Sequence, residues 1–449
     1  MSLPRSVHVC YGLGGLGTGV FATVPGLLLS FYLTDTLAVP AALAGLAVFL
    51  PKLWDAVSDP LMGVISDRAR TRWGRRRPFM LAGALLLPLC LAALFSAPRL
   101  ETPAATFAYV LLIYTLCTTS FTIFVVPFVA MPAEMTGDRD EVTTITAWRM
   151  AFTTVGVLVG GVAPMIVKFA GGGRPGYKVM SIAVATVCFS GLISAFLGTR
   201  RAPYTTRSEE RVPLGPQVRL ALQNRPFFVL LAAYVVQLVG VGCVLATVPY
   251  FAKYILGGPG GDHEATVTAL FLCIVVPAVV TMPVWSALSR RLGKKRAFAL
   301  SIAGFALFCS GLALADEISG ALVFTLAAAM GLFYAGTQLL PFSMLPDTIA
   351  CDRARSGMCR EGVFSGLWMA GDKGGVALGA LITTTLLASA GFVESEAGVF
   401  AAQPAGALQA IVASISLAPA ALLLLSLLLL RGYRLPEETG ESRGGSASE

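Results

Sequence analysis

The sequence predicts an all-α membrane protein with twelve transmembrane helices. Its 449 residues are 56% hydrophobic and only 13% charged, whereas soluble domains contain about 25% charged residues. The apolar residues fall in runs of about 20, which is long enough for a helix to cross the ~30 Å hydrocarbon core of a bilayer. Lipid offers the backbone no hydrogen-bond partners, so such segments must be helices or closed barrels, and these runs are too long and continuous for barrel strands.

Twelve apolar runs follow one another, each ended by a polar loop. The first begins after Arg5 and contains no small-residue cleavage site of a signal peptide, so we expect it to be a spanning helix. Its glycines, between Gly12 and Gly19, would let a neighbouring helix approach closely. The predicted spans are residues 7–34, 41–66, 79–97, 104–133, 143–169, 178–199, 226–257, 265–288, 297–314, 320–346, 361–391 and 405–430.

Lysine and arginine are concentrated in alternate loops, which predicts the orientation. Loops rich in these residues face the cytoplasm, so we expect a multi-pass protein of the plasma or inner membrane with both termini in the cytoplasm. The net charge of +8 follows from this asymmetry, and no nucleic-acid partner is needed to explain it. The basic loops contain Arg68, Arg70, Arg72, Arg75, Arg76, Arg77, Arg139, the basic residues of Arg200–Arg225 and Arg290–Arg296, Arg353, Arg355 and Arg360, and the two ends add Arg5, Arg431, Arg434 and Arg443. The alternate loops contain only Arg99, Lys168, Arg174, Lys178 and Lys253.

The polar segment 200–225 is the one long interior break in the apolar pattern. It predicts a cytoplasmic linker between two six-helix halves, residues 1–199 and 226–431. The terminal segment 432–449 is expected to be a disordered cytoplasmic tail.

A similarity between two segments of the sequence supports this division. The segments Leu61–Phe79 and Val284–Phe298 each follow the second span of their half, and both join a helix end rich in small residues to a basic turn containing glycine. Parallel repeats of this kind occur in transporters whose halves are related by an axis along the membrane normal.

Two aspartates interrupt the second apolar span. Asp55 and Asp59 are four residues apart and therefore share one helix face, with Cβ atoms roughly 6 Å apart. An ionised carboxylate at membrane depth costs about 2.5–3.5 kcal/mol on insertion scales. Two such charges will not both remain ionised without a cation or a proton between them. The pair therefore predicts a site that binds and releases a positive ion.

Other chemistries find little support in the sequence. It contains no phosphate-binding Walker loop, no nucleophile with a base at catalytic spacing and no CxxC motif. We therefore expect no enzyme activity and no cofactor, and Na⁺ or H⁺ as a coupling ion only.

The segment Trp54–Phe79, WDAVSDPLMG…SDRARTRWGRRRPF, resembles the signature of the glycoside–pentoside–hexuronide:cation symporters, the melibiose permease group of the major facilitator superfamily. Further resemblances lie at Tyr11–Gly14, Ala147–Met150, Leu340–Gly362 and Gly371–Gly375. The resemblance implies a major facilitator fold with two six-helix halves and secondary active transport by alternating access. It also implies a monomer in the lipid bilayer that carries a small organic solute, by family a sugar or glycoside, together with a cation.

The resemblance also implies a cation site. Asp55 and Asp59 match the family's two cation-binding carboxylates, Thr122 matches a nearby threonine of the fourth span, and Ser58 could supply a further oxygen. Lys373 matches a lysine close to the pair, which we expect to be the counterion when no cation is bound. Oxygen ligands suit Na⁺ as a bound metal, whereas a proton would require one acid with a raised pKa, so both ions remain open.

The substrate site departs from the family. In melibiose-transporting members the sugar is held by acids in the first and fourth spans, and here those positions hold Gly19 and Val125. Trp148, Arg149 and Lys373 are the other candidate substrate-binding residues, although Arg149 could instead extend to the membrane interface. The loss of both acids, with the cation site kept, resembles the sodium-dependent lysophosphatidylcholine symporters. A lysophospholipid or other amphiphile is therefore the alternative substrate.

A cytoplasmic gate is the last site that the resemblance implies. Asp67 with Arg75 and Arg76 resembles the facilitator loop that closes this side, and Asp347 and Asp352 could bridge to cytoplasmic arginines. A receptor on the same fold that does not transport is a further alternative, and the acid pair argues against it.

Overall fold

The structure is a computed structural model, and it describes residues 4–69, 71, 73–136, 138–200, 220–258, 260–315, 317–356, 361–396 and 400–434. The side chain of Asp67, most of the predicted linker and most of the predicted tail lie outside this description. Within the described residues the regular structure is helical, apart from an isolated bridge between Leu37 and Glu396. This confirms the prediction of an all-α protein.

The helices follow the predicted spans to within a few residues at most ends. In chain order they are α1 (Arg5–Phe31), α2 (Ala41–Arg68), α3 (Arg77–Leu94), α4 (Pro103–Ala130), α5 (Pro132–Met135), α6 (Arg139–Gly161), α7 (Ala163–Phe169), α8 (Gly173–Thr199), α9 (Arg225–Phe251), α10 (His263–Leu292), α11 (Lys294–Gly311), α12 (Gly320–Ser356), α13 (Glu361–Ser389), α14 (Ala405–Ile415) and α15 (Leu417–Arg431). Short π-helical turns, Tyr32–Thr36 and Ala252–Gly257, extend α1 and α9.

Eleven spans in the described part of the chain are long and apolar enough to cross a membrane. The remaining predicted span, the eleventh, is also one continuous helix, α13, which has 29 residues. It carries Asp372 and Lys373 in its first half, and adjacent charges lower the hydropathy of a helix. Charged residues inside a spanning helix mark functional positions more often than lipid-facing ones.

Predicted spans five and twelve are each divided into two helices. Pro164 is the second residue of α7, and Pro419 lies in the first turn of α15. Proline has no N–H, so the carbonyl four residues earlier loses its helical donor. The Ile415 carbonyl, four residues before Pro419, accepts a hydrogen bond from the Cys309 thiol at 3.0 Å instead. Such breaks are tolerated in membrane helices where a neighbour satisfies the freed group.

The chain divides into two compact units. The first contains Met1–Glu209, Leu245–Leu272 and Ala380–Ile411, and the second contains the remaining segments. Unit boundaries fall within α9, α10, α13 and α14, and each unit is described by itself. The division into halves 1–199 and 226–431 stays a prediction.

Glycines bring α1 against α6 in the first unit. A Cβ atom added to Gly15 would lie 2.3 Å from the Arg149 carbonyl oxygen, and one added to Gly156 would lie 2.3 Å from the Leu16 carbonyl oxygen. Only hydrogen atoms fit between the two backbones at these points. The glycine-rich first span thus forms the close helix contact that its sequence predicts.

Candidate cation and substrate sites

The acid pair lies near the middle of α2. This helix has 28 residues and is therefore about 42 Å long, with Asp55 about 21 Å from its first residue. Pro60 follows Asp59 directly and has no N–H to give to the Ala56 carbonyl. The Ala56 carbonyl, one residue after Asp55, therefore has no helical N–H donor at position 60.

The two acids have different partners. Thr122 of α4 donates its hydroxyl proton to Asp59 Oδ1 at 2.6 Å. Lys52 Nζ lies 3.3 Å from Asp55 Oδ2 in an ion pair within α2. Asp55 and Thr122 are each only 1% exposed. The Ser58 hydroxyl is also buried, and it has no hydrogen-bond partner among the described residues.

Lys52 is a site residue that sequence reasoning missed. Its ammonium group lies 6.0 Å from the ring centroid of Phe21 and 5.5 Å from that of Tyr114. It also interacts electrostatically with both Asp55 and Asp59. The signal was present, because a lysine three residues before a carboxylate in an apolar helix lies on the same face. The described structure thus contains a positive charge of the chain itself at the acid pair.

This arrangement can bind a small cation. A buried carboxylate needs a counter-charge, and Lys52 supplies one to Asp55. Carboxylate, hydroxyl and carbonyl oxygens of α2 and α4 can coordinate a hard cation. A proton on one acid would satisfy the same charge requirement. Lys373, the predicted counterion, belongs to the second unit, and its role stays a prediction.

Gly19 has no room for a side chain. A Cβ atom added there would lie 2.3 Å from the Thr153 carbonyl oxygen of α6. The helix contact therefore occupies the position of a first-span acid. Val125 is partly buried on α4.

Trp148 and Arg149 follow each other on α6. Trp148 is exposed and stacks on Phe152, with ring centroids 6.1 Å apart. The Arg149 carbonyl accepts a hydrogen bond from the Thr153 hydroxyl and faces Gly15 of α1. Their role in substrate binding stays a prediction.

The predicted gate residues Arg75 and Arg76 contact Glu134 of α5, which sequence reasoning also missed. Arg75 Nε and Arg76 Nε donate to Glu134 Oε1 at 2.5 and 2.6 Å. Glu134 itself is buried. One carboxylate thus joins the loop after α2 to α5. The part that Asp67 would play lies outside the described side chains.

The other two predicted gate residues lie in the second unit. Asp347 pairs with Lys294 at the start of α11 at 2.5 Å, and Asp352 accepts a hydrogen bond from the Asn224 amide at 2.9 Å. These contacts are made with a lysine and an asparagine, where the sequence suggested arginines. The role of Asp347 and Asp352 in a gate stays a prediction.

A buried ion pair lies at the end of α1. Lys253 Nζ donates to both carboxylate oxygens of Asp35, at 2.7 and 2.8 Å. The hydroxyl groups of Tyr254 and Ser395 donate to Asp35 Oδ1 at 2.7 and 3.1 Å. Together these four residues form the Asp35 cluster, which joins three segments that are distant in the sequence. Sequence reasoning assigned it no role, although Asp35 and Lys253 are charges at the ends of the first and seventh spans.

Further contacts surround the Asp35 cluster. The hydroxyl groups of Thr34 and Tyr250 lie 2.8 Å apart, and the Ser395 N–H donates to the Thr34 carbonyl at 3.1 Å. A cavity of about 220 Å³ adjoins the cluster, and its lining includes Asp35, Lys253, Tyr177, His263 and Glu264.

An exposed ion pair between Lys168 and Asp262 links α7 to the loop before α10. The hydrogen bond from Lys168 lowers the pKa of the Asp262 carboxyl below its ordinary value. This pair connects segments 1–200 and 245–272 of the first unit, as the Asp35 cluster does.

The profile of the family named MFS/sugar transport protein matches residues 10–437. The chain belongs to this family. It is therefore a major facilitator transporter, and both the predicted fold and the predicted family are confirmed.

Relatives of known name differ in what they carry. The chain is 26% identical to mouse sodium-dependent lysophosphatidylcholine symporter 1, over 96% of this chain and 85% of that protein. It is 23% identical to the isoprimeverose transporter of Lactiplantibacillus pentosus, over 91% of this chain and 84% of that one. The crystal structure of a bacterial homologue of the human lysosomal transporter Spinster superposes with a TM-score of 0.66 at 14% identity, covering 96% of both chains. At this identity the similarity establishes the fold alone.

Proposed function

We propose that this facilitator is a cation-coupled symporter of a glycoside, working by alternating access. The acid pair Asp55 and Asp59 carries the proposal, because two carboxylates on one face of a membrane helix require a cation or proton. We further propose that the protein acts as a monomer in the plasma or inner membrane with both termini in the cytoplasm, as the distribution of basic residues indicates.

In the proposed cycle Lys52 occupies the acid pair in the absence of the coupling ion. An arriving Na⁺ would bind oxygens of Asp55 and Asp59, with Thr122 and Ser58 able to contribute hydroxyl oxygens. The ion would then be the counter-charge of Asp55 in place of the Lys52 ammonium group. An arriving proton would instead neutralise one acid of the pair.

Alternating access requires that each side of the membrane can be closed. In the proposed orientation the Asp35 cluster lies on the outer side, because α1 starts in the cytoplasm. The Asp35 cluster joins the outer ends of three segments, through Lys253 and Tyr254 on one side and Ser395 on the other. Loading from outside would require this cluster to separate. On the cytoplasmic side, the contacts of Arg75 and Arg76 with Glu134 would close the protein.

The glycoside is proposed from the family and from the named isoprimeverose transporter. One observation favours a lysophospholipid as the second candidate. The helix contact at Gly19 excludes an acid that would accept sugar hydroxyls at that position, and the mouse lysophosphatidylcholine symporter is as similar to the chain as the sugar transporters are.

Uptake into proteoliposomes tests the proposal. The probes are isoprimeverose, melibiose and lysophosphatidylcholine, each measured with an inward Na⁺ gradient, with an inward proton gradient and with neither. We expect one gradient to accelerate uptake of a sugar, and we expect Asp55→Asn and Asp59→Asn to abolish that acceleration. Asp262→Asn is the matched control, because this carboxylate is exposed and distant in sequence from the acid pair, and it should transport normally.

The outcomes separate the alternatives. Unchanged cation dependence in both acid-pair variants would contradict symport through this pair. Cation-driven uptake of lysophosphatidylcholine alone would replace the glycoside by the second candidate. Binding of a probe without uptake under any gradient would indicate a receptor.

A further inference from the structure

A cavity of about 220 Å³ lies beside the Asp35 cluster, within the first unit. Its lining comes from the ends of α1 and α9 with the turns that extend them, from α7 and the start of α8, and from the first turns of α10. The acid pair of α2 contributes nothing to this lining where the structure describes it. The cavity is therefore distinct from the proposed cation site.

Thr36 brings a hydroxyl group to the lining, and this group has no hydrogen-bond partner among the described residues. Thr36 is only 1% exposed. A helical threonine can donate to the carbonyl four residues earlier, as Thr34 does to Ser30 at 3.2 Å. At Thr36 that carbonyl belongs to Tyr32, and it accepts a hydrogen bond from the Leu37 N–H at 3.1 Å instead. Buried polar groups are nearly always hydrogen-bonded, so the Thr36 hydroxyl indicates a partner within the cavity.

Glu264 adds a carboxylate to the same lining. It is partly buried in the first turn of α10, and no hydrogen bond or ion pair joins it to another residue that the structure describes. The carboxylate of Asp35, by contrast, is paired with Lys253. A carboxylate can accept about four hydrogen bonds, so Glu264 is able to receive several donor groups of one ligand.

The rest of the lining is largely apolar side chains and bare backbone. Leu28, Val167 and Val267 form apolar walls, and Gly171 and Gly172 lie between α7 and α8. These glycines have φ values of 91° and 69°, a conformation that glycine adopts at no steric cost. A Cβ atom added to either would meet no other atom within 4 Å. A lining that is polar on one part and apolar on another suits a pyranose, which has an apolar face and polar edges.

Charges of both signs border the cavity. The Lys253 ammonium group would repel a cation, and the carboxylates of Asp35 and Glu264 would repel an anion. Recognition of a choline group by aromatic rings requires an open ring face, whereas Lys253 already lies 5.8 Å from the centroid of Phe31. A neutral ligand rich in hydroxyl groups avoids both repulsions and can donate to Glu264.

The volume indicates the size of the ligand. An engineered cavity of about 150 Å³ in another protein binds benzene, which is also a six-membered ring. The cavity of about 220 Å³ beside the Asp35 cluster has room for such a ring with hydroxyl groups attached. It is smaller than the roughly 300–1,000 Å³ of pockets that hold drug-sized ligands. One sugar ring therefore fits better than a whole disaccharide or a lysophospholipid.

We propose that this cavity is an outer subsite for one pyranose ring, in which Glu264 accepts hydrogen bonds from the sugar's hydroxyl groups and the Thr36 hydroxyl bonds to another of them. This inference rests on the proposed glycoside symport and deepens it. In the proposed orientation the cavity lies on the outer side, next to the cluster that must separate during loading. A sugar ring arriving from outside would be held here before the cluster separates.

Equilibrium binding of radiolabelled D-glucose and D-xylose to the full-length protein in detergent tests the proposal. We expect both sugars to bind with the same Kd in the presence and absence of Na⁺, and equally well to Asp55→Asn. Thr36→Val removes one neutral hydrogen bond and should raise the Kd about threefold or more, whereas Glu264→Gln removes a charged acceptor and should raise it about tenfold or more. Val267→Phe fills the cavity and should abolish binding.

Thr268→Val is the matched control for Thr36→Val. The Thr268 hydroxyl is also buried and has no partner among the described residues, but Thr268 lies outside the cavity lining. This variant should bind both sugars with the wild-type Kd. Equal weakening in Thr36→Val and Thr268→Val would overturn the proposal, because the effect would then not come from the cavity. If Val267→Phe fails to fold, the variants of Thr36 and Glu264 decide.

Other outcomes also contradict the subsite. A carboxylate in the first turn of a helix can stabilise that helix, and a purely structural Glu264 predicts that Glu264→Gln lowers Tm and leaves the Kd unchanged. Loss of sugar binding in Asp55→Asn would place the ring at the cation-coupled site instead. Binding of choline in place of the sugars, or of no probe at all, would equally overturn the proposal. Failure of symport is seen separately, as uptake that no ion gradient accelerates while sugar still binds to the cavity.

Discussion

Lys253 binds both carboxylate oxygens of Asp35, and the side chains of this pair are each 3% exposed. The ammonium group also lies 5.8 Å from the Phe31 ring centroid and 5.3 Å from that of Tyr254. A buried pair of this kind depends on excellent geometry to offset the desolvation of its charges. The full set of hydrogen bonds to Asp35 provides that geometry.

Removing one member of the buried pair should be strongly destabilising. Lys253→Met leaves the Asp35 charge buried without its cation, and we expect a loss of about 3–5 kcal/mol in the free energy of unfolding. The double variant Asp35→Asn/Lys253→Met leaves no buried charge and should lose less than the sum of the two single variants. Denaturant titration in detergent measures all three.

The exposed pair Lys168–Asp262 is the matched control. Its side chains are 39% and 46% exposed, and Lys168→Met should change the free energy of unfolding by less than about 1 kcal/mol. Equal losses in the free energy of unfolding for Lys168→Met and Lys253→Met would show that burial does not determine how much these ion pairs stabilise the protein.

The exposed pair should also depend on pH. Hydrogen bonding to Lys168 lowers the pKa of Asp262 in the folded protein below its ordinary value of 3.8. The stabilisation is therefore present above the ordinary pKa and is lost as the pH falls through the lowered one. The difference in Tm between the wild type and Asp262→Asn should be small, constant near neutral pH and absent in strong acid. A difference that grows with acidification would contradict this sign.

Lys52 should compete with the coupling ion. Its ammonium group lies at Asp55, so Lys52→Met leaves a more negative site, and we expect Na⁺ to bind at least tenfold more tightly, equivalent to about 1.4 kcal/mol. Lys52→Arg keeps the charge and should bind Na⁺ much as the wild type does. The Na⁺ dependence of Tm at fixed pH gives both affinities. Weaker Na⁺ binding in Lys52→Met would show that the lysine assists the ion instead.

Most of the fold could be predicted because one physical rule decides it. Lipid forces each apolar run into a helix, so the lengths of the apolar runs and the polar loops between them predicted the spans. The acid pair could be found for the same reason, since Asp55 and Asp59 stand out against an apolar helix. Thr122 required the family resemblance, because its contact with Asp59 joins α2 to α4 across 63 residues of sequence.

The sequence pattern could not predict contacts between distant segments. Asp35 and Lys253 are 218 residues apart, and each alone reads as an ordinary charge at a span end. Glu134 likewise resembles a solvated loop residue until Arg75 and Arg76 are placed against it. Lys52 is the exception, because its helical spacing to Asp55 was visible from the start.

The contact at Gly19 should not tolerate a side chain. A Cβ atom there meets the Thr153 carbonyl at 2.3 Å, so Gly19→Ala must separate α1 from α6, and we expect a loss of about 1–3 kcal/mol or more. Gly63→Ala on α2 is the matched control, because its nearest neighbour would be Val126 Cγ1 at 3.9 Å. Helical glycine costs about 0.5–1 kcal/mol relative to alanine, so this variant should be slightly more stable.

Gly19→Asp extends the same argument to the substrate. If the helix contact excludes a side chain, the restored acid cannot enter the site, and the variant should lose stability without gaining sugar affinity. Titration with melibiose shows whether the variant gains sugar affinity, and its Tm shows whether it loses stability. A stable Gly19→Asp protein that binds melibiose more tightly than the wild type would mean that α1 and α6 can separate, and that a sugar site of the melibiose permease type is still accessible beside α1.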